Sequence, residues 1–364
     1  MKVKDITKIL EDFAPLPLQE DYDNAGLLVG NPAGEVKGVL VTVDVTEEVI
    51  SECMQKSANL VISHHPLIFS GLKKITGKNL TERIVITAIQ NNIAIYAAHT
   101  NLDNVAKGIN HKICEKLGLQ HCRILSPKKN MLRKLVAYVP TAHLDQVRNA
   151  IFDAGAGHIG EYDQCSFNTE GKGTFRASER AHPFIGEKGK IHTEKETRLE
   201  TIFPEYLERN IINALKSSHP YEEAAYDVYP LMNKFENAGA GMIGELKKPL
   251  NEQDFLKSVK EIFNCGCIKH SEFTGRPVQK IAVCGGSGSA LLPAAIAHQA
   301  DIFLTADIKY HQFFDTDNKI LLADIGHYES EQFTKEVFYE NLTKKIPNFA
   351  VYLTEIDTNP IKYL

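Results

Sequence analysis

Short apolar runs alternate with amphipathic segments over the first part of the chain. Three runs of aliphatic and β-branched residues predict buried strands: Val39–Val43, Leu60–Ile62 and Ile93–Ala98. Around them, apolar residues recur at helical spacing, which predicts helices over residues 46–58, 80–91 and 110–117. Strands that alternate with helices in this way predict a mainly parallel sheet covered by helices.

The pattern changes near Ser126-Pro127. Strands are predicted over residues 134–140, 195–203 and 224–231, with helices over 144–154 and 206–217. A glycine-rich polar stretch, 165–192, separates the two halves and predicts a long hairpin. This order is that of a ferredoxin-like α+β domain. Residues 233–241 are expected to form a linker that leads out of it.

The strand–helix alternation resumes after the expected linker. Strands are predicted over 279–284, 302–304, 319–323 and 350–353, and helices over 290–298 and 329–342. We therefore expect one α/β domain with a mainly parallel sheet, built from residues 1–126 and 236–364. An α+β domain is inserted into it over residues 127–235.

Histidine and carboxylate residues follow many of the predicted strands. Because the carboxyl ends of parallel strands meet at one edge of a sheet, residues far apart in sequence converge there. The residues concerned are Asp44, His64, His65, His99, Asp103, Asp307, His311, Asp324, His327 and Glu331.

Five of these residues predict a centre for two metal ions. His64 and His65 are adjacent at the end of one strand, so each imidazole can bind a different ion. His327 and Glu331 lie four residues apart, on one face of a helix expected to begin near Gly326, and Glu331 can bridge both ions. Asp103 completes the set. Mixed nitrogen and oxygen ligands suit zinc, iron, manganese, cobalt or nickel, and binding should weaken in acid because the imidazoles must be neutral.

Less specific interpretations remain for the other residues. A histidine doublet can arise by chance among fourteen histidines. His99, Asp44, Asp307 and His311 either line the pocket and orient ligands or serve as ordinary capping and turn residues. Three further motifs also have two interpretations: Gly285–Ser289 is an anion site or a packing turn, Cys265-Gly-Cys267 is a metal pair or a loop, and His219–Glu223 is a metal site or a turn.

Composition excludes several classes of protein. The formal charge of −5 gives no general attraction to nucleic acid, and no apolar stretch approaches the length of a membrane span. The N-terminal residues lack the apolar core of a signal peptide. Seven cysteines, an odd number without a framework spacing, are typical of reduced thiols in the cytoplasm.

Six segments together resemble the Nif-three-like family of dinuclear-metal proteins, often labelled GTP cyclohydrolase I type 2 homologues. The resemblance implies an α/β core, the five metal ligands deduced above, and a toroidal homohexamer whose metal sites face an internal cavity. The insert resembles the PII-like or CutA-like module of the longer bacterial members; such modules tend to trimerise, which suits a dimer of trimers. Tyr22 stands where many relatives carry tryptophan. The six segments are Asp23–Gly30, Ile62–Phe69, Ala98–Asp103, Gly285–Gly288, Thr305–His311 and Asp324–Glu331.

Two functions follow as expectations. The first is an enzyme in which two divalent ions, zinc or iron before manganese, cobalt or nickel, support hydrolysis of a nucleotide-like small molecule. His99 and Asp307 are its candidates for proton transfer. The second is a non-enzymatic metal-binding protein that regulates or delivers metal, with the insert sensing a ligand. Nucleic acid is an unfavoured partner because phosphate contacts need clustered lysine and arginine.

Overall fold

The computed structural model describes all 364 residues and divides them into two compact units. The core unit comprises Met1–Ser126 and Ala238–Leu364, and the insert comprises Pro127–Asn237. The predicted insert, 127–235, differs from this division by two residues at its C-terminal boundary. None of the helices has the length and apolar character needed to cross a bilayer.

The first part of the core unit alternates helices and strands. Two of its helices begin at side chains that accept a backbone hydrogen bond: Thr46 accepts from Val49 N (3.3 Å), and Asn79 accepts from Glu82 N (2.9 Å). The elements are α1 (Val3–Phe13), β1 (Gly26–Val29), β2 (Val39–Thr42), α2 (Glu47–Gln55), β3 (Leu60–Ser63), α3 (Leu80–Gln90), β4 (Ala94–Ala97), α4 (Thr100–Asn104), α5 (Ile109–Lys116) and β5 (Gln120–Lys128).

The insert has the strand order of a ferredoxin-like domain. Its elements are β6 (Leu132–Pro140), α6 (Leu144–Asp153), β7 (Phe167–Arg176), β8 (Ile191–Pro204), α7 (Glu208–Ser218) and β9 (Tyr226–Leu231). They form one antiparallel sheet in the order β7-β8-β6-β9. Apolar residues of the sheet and of both helices, such as Leu135, Ile151 and Ile211, form a core of the insert's own.

The last part of the chain returns to the core unit. Its elements are β10 (Phe235–Leu250), α8 (Glu252–Ile262), β11 (Lys269–His270), β12 (Val278–Ser287), α9 (Leu292–Ala297), β13 (Ile302–Ala306), β14 (Leu321–Asp324), α10 (His327–Glu331), α11 (Thr334–Lys345) and β15 (Val351–Leu353). The expected linker over 233–241 is wrong, because most of it belongs to β10. The single helix expected over 329–342 is instead two helices, α10 and α11.

The core unit contains two sheets, which corrects the expectation of one mainly parallel sheet. The first has the order β1-β4-β3-β2-β15, parallel except for β1. The second has the order β11-β14-β13-β12-β10-β5, with parallel β12, β13 and β14 flanked by antiparallel β11 and β10. Strands β2, β3 and β4 are buried along their whole length, which is why they read as continuous apolar runs. The fold is therefore mixed α/β with several sheets.

Candidate metal centre

The predicted ligands come from both sheets of the core unit. His64 and His65 directly follow β3, and the Ser63 hydroxyl donates to the His65 carbonyl (2.8 Å), which fixes this turn. Asp103 lies in the short helix α4 that follows the neighbouring strand β4, where no clear helix was expected. His327 and Glu331 are the first and last residues of α10, which follows β14 of the second sheet. The strand ends thus bring together residues that are more than 260 positions apart.

The five residues form two groups that share Glu331. Ligand atoms of His64, Asp103 and Glu331 lie within 4.8 Å of one another, as do those of His65, His327 and Glu331. Glu331 Oε1 is 3.5 Å from His64 Nε2, which is 3.6 Å from Asp103 Oδ1. Glu331 Oε2 is 2.9 Å from His65 Nε2 and 3.1 Å from His327 Nε2. Each carboxylate oxygen therefore faces a different group.

Hydrogen bonds at Nδ1 turn each imidazole so that Nε2 points into the centre. His64 Nδ1 donates to the Ala98 carbonyl (3.0 Å), whereas His65 Nδ1 donates to Asp44 (2.7 Å). His327 Nδ1 donates to Asp307 (2.7 Å). Partners of this kind fix the tautomer and orientation of metal-binding histidines.

Several nitrogen and oxygen atoms of the centre lack a hydrogen-bond partner, and a bound cation would take the place of that partner. His64 Nε2, Asp103 Oδ1 and Glu331 Oε2 are buried without a hydrogen bond of good geometry, which is costly in a protein interior. The Nε2 atoms of His65 and His327 face each other at 3.2 Å. With both Nδ1 atoms protonated, two neutral rings would meet lone pair to lone pair. The residues therefore fit divalent cations.

Without a bound metal, protons on the imidazoles supply part of the positive charge in the centre. Burial opposes a charge on His65, but the hydrogen bond with Asp44 and the adjacent Glu331 carboxylate outweigh it and raise its pKa to about 10. Burial likewise opposes a charge on His327, and Glu331 and Asp307 raise its pKa to about 9. Positive charge in this group thus balances the buried carboxylate.

The other group is electrostatically different. Burial lowers the pKa of His64. Burial and then repulsion from Glu331 raise the pKa of Asp103 well above its usual range. Burial also opposes ionisation of Glu331, but the positively charged His327 and His65 hold its pKa well below the usual range. Glu331 is thus the ionised carboxylate around which the centre is organised.

The glycine-rich segment after β12 packs against the centre. Gly286 has φ of +62°, and a Cβ there would overlap the Glu331 carboxylate. The amides of Gly285, Gly286 and Gly288 donate to Asn110, Ser330 and Thr305, each at 2.9 Å. Because these amides are already engaged, the structure favours a packing turn over an anion site.

The remaining predicted residues divide between the centre and its surroundings. His99 lies close to the doublet, with a ligand atom within 4.8 Å of those of His64 and His65. Asp307 contacts the centre only through His327. Asp324 is buried and pairs with Lys269 (2.7 Å), and His311 is exposed beside Tyr310 and Phe314. Cys265 and Cys267 belong to none of the clustered groups.

Sequence reasoning assigned no role to several residues near the centre. Asp23 accepts from His99 Nδ1 (2.7 Å), and its neighbour Tyr22 stacks with Phe69 at 6.4 Å between ring centroids. Both rings are largely exposed and line a cleft of about 650 Å³ that also contains Cys284 and the metal-ligand candidates His65, Asp103, His327 and Glu331. In the sequence, only the position of Asp23 at the start of a family-like segment, with Tyr22 directly before it, pointed to these residues.

The fold and the donor set define an α/β protein with a candidate metal centre. The Duf34/NIF3 (NGG1p interacting factor 3) family model matches residues 1–360, and the chain belongs to this family. The GTP cyclohydrolase 1 type 2 homolog of Bacillus subtilis is 37% identical, over 99% of this chain and 98% of the relative.

Solved structures match the whole fold. A Bacillus cereus protein related to NIF3 has a TM-score of 0.86 and 37% identity, covering 100% of this chain and 99% of that one. The Staphylococcus aureus protein SA1388 has a TM-score of 0.79 and 28% identity, with the same coverage.

Proposed function

We propose that the centre binds two divalent metal ions, with zinc or iron as the first candidates and manganese, cobalt or nickel as others. His64 and Asp103 would hold one ion, His65 and His327 the other, and Glu331 would bridge them. The supporting observation is that each Glu331 oxygen faces a separate group of donors.

We further propose that the protein is a hydrolase of a nucleotide-like small molecule, as the name GTP cyclohydrolase 1 type 2 homolog suggests for its relatives. Two bound ions would activate water and polarise a phosphate or carbonyl oxygen. The cleft has a volume typical of small-molecule sites. The Tyr22–Phe69 pair offers a face on which a planar ring could stack.

His99 is the better of the two candidates for proton transfer. Asp23 holds His99 by Nδ1, which leaves Nε2 free to exchange a proton in the cleft. The Asp307 carboxylate is instead engaged with His327 Nδ1, so we assign Asp307 a positioning role.

A second function is a metal-binding regulatory or metal-delivery protein. The observation that favours it is a separate cavity of about 710 Å³ lined only by insert residues. We propose that the insert is a PII-like or CutA-like module, in keeping with its strand order. In this reading the metal centre would not turn over substrate.

Assembly and location are part of the proposal. We expect a toroidal homohexamer, built as a dimer of trimers through the inserts, in the cytoplasm. All seven cysteines are free thiols, in keeping with a reducing compartment. The formal charge of −5 does not favour nucleic acid as a partner.

Turnover by protein of known metal content tests the enzymatic proposal. The protein is loaded with Zn²⁺ or Fe²⁺, its metal is quantified by mass spectrometry, and GTP ring opening and phosphoester cleavage are followed. We expect activity that requires metal, is lost in Glu331→Gln and persists in His311→Ala, whose exposed imidazole lies outside the ligand groups. Fully loaded protein that turns over no nucleotide or phosphoester would instead support the regulatory function.

A further inference from the structure

The insert cavity is built separately from the metal centre. The β7–β8 hairpin, Pro183 and Phe184 in its connection, and the turn before β9 surround it. Its volume of about 710 Å³ lies within the range of small-molecule sites. None of the clustered candidate metal ligands lines it.

Aromatic rings form one wall of this cavity. The Phe175 and Tyr221 rings lie 5.7 Å apart between centroids, and the Phe184 and Tyr221 rings lie 6.3 Å apart. Tyr138 adds a fourth aromatic side chain to the lining. The faces of such rings carry partial negative charge and attract cations.

Glu196 is the buried charge of the cavity. It is 9% exposed and forms no ion pair; Arg198, two residues along β8, pairs with Glu200 instead (2.9 Å). Gly173 on the neighbouring strand leaves the space for its carboxylate, since a Cβ there would overlap it. A cation placed beside this carboxylate would form a charge-assisted hydrogen bond with it.

The other charges that line the cavity cancel one another. They are all exposed, three acidic and three basic, so Glu196 leaves the lining with one net negative charge. These six residues are Glu170, Glu222, Glu223, Lys172, Arg176 and Arg198.

A second polar group, the Tyr221 hydroxyl, lies beside the Glu196 carboxylate. The Tyr221 hydroxyl is buried without a hydrogen bond of good geometry. Burial and the adjacent Glu196 carboxylate raise the Tyr221 pKa, so the hydroxyl remains protonated. The cavity thus places a carboxylate and a hydroxyl side by side, against a wall of rings.

We propose that the insert binds an organic cation, a protonated amine with an apolar body, in this cavity. The ammonium group would bind Glu196, and the apolar body would pack against Phe175, Phe184 and Tyr221. A bound cation would compensate the buried carboxylate and gain from the ring faces. This site is independent of the chemistry proposed for the metal centre.

Three probes with the same body and different charge test the site: phenethylamine, 2-phenylethanol and 3-phenylpropionate. Binding to the full-length protein is measured by calorimetry and by ligand-observed NMR. We expect phenethylamine to bind at least about tenfold more tightly than 2-phenylethanol, and 3-phenylpropionate to bind most weakly. Glu196→Gln should remove this preference, whereas Glu170→Gln, which changes an exposed carboxylate of the same cavity, should retain it.

A second variant guards against misfolding of Glu196→Gln. Gly173→Ala should displace the carboxylate and weaken phenethylamine binding without any change at position 196. Equal binding of the three probes, tighter binding of the anion, no binding of phenethylamine at millimolar concentration, or an undiminished preference in Glu196→Gln would each overturn the proposal.

Discussion

Replacement of Asp44 by asparagine should affect only one of the two groups of the metal centre. Asp44 contacts the centre through His65 Nδ1 (2.7 Å). Of the two groups that share Glu331, His65 belongs to the one with His327. His64 is oriented instead by the Ala98 backbone carbonyl, which a substitution at Asp44 leaves in place. Asp44→Asn should therefore weaken one metal equivalent and spare the other.

The size of the effect follows from the role of such partners. Loss of a carboxylate that orients a metal-binding imidazole typically lowers metal affinity by about 10- to 100-fold, or roughly 1.4–2.7 kcal/mol. Asp307→Asn should weaken the same equivalent, because Asp307 orients His327 (2.7 Å). Glu331 is shared, so the spared equivalent should change far less.

Competition with a chromophoric chelator, followed by metal analysis, measures both equivalents. Asp315→Asn, which changes an exposed carboxylate, serves as the control. Thermal unfolding shows whether each variant remains folded, because Asp44 also accepts from the Thr358 hydroxyl (2.9 Å). If Asp44→Asn weakened both equivalents equally, or neither, the assignment of His65 and His64 to different ions would be wrong.

Three further predictions concern the glycine turn, protons and acid. Gly286→Ala should lower metal content at both groups and destabilise the fold by about 1–3 kcal/mol, because Gly286 has φ of +62° and a Cβ there would overlap Glu331. Metal analysis and thermal unfolding measure these two effects. Unchanged metal content would contradict the prediction. Metal binding at pH 8 should release up to two protons, because the pKa values of His65 and His327 are about 10 and 9 without metal. Calorimetry in buffers of different ionisation enthalpy measures the number of protons released. Zero release would refute the charges assigned to these two histidines. Burial lowers the pKa of His219 in the insert, so the unfolded state binds a proton at higher pH than the folded state does. The free energy of unfolding should therefore fall as pH drops below about 6.5, by at most about 1.4 kcal/mol per pH unit. His219→Gln should reduce this pH dependence, and an equal dependence in both proteins would disprove the linkage.

Apolar runs made part of the fold predictable. Strands β3 and β4 stand out because both faces of each strand are buried. Strand β10 was mistaken for a linker because Asn237-Ala-Gly-Ala-Gly241 has turn-like composition. Its ladder with β12, which pairs Met242 with Val283, outweighs that local preference. Periodicity also cannot show which strands are neighbours, so the division into two sheets was missed.

The candidate site was predictable where metal-binding side chains come shortly after a strand in the sequence. His64, His65 and the His327–Glu331 pair are examples. Asp23 was missed because its contact with His99 joins residues 76 positions apart, and no local pattern encodes such a pairing. The aromatic pair of Tyr22 and Phe69 arises from tertiary structure in the same way.

A crystal structure of metal-loaded protein with anomalous scattering tests the central claim most directly. We expect two anomalous peaks about 3.5–4 Å apart. His64 and Asp103 should bind one ion, His65 and His327 the other, with one oxygen of Glu331 on each. A single peak bound by both His64 and His65, or peaks away from Glu331, would contradict it.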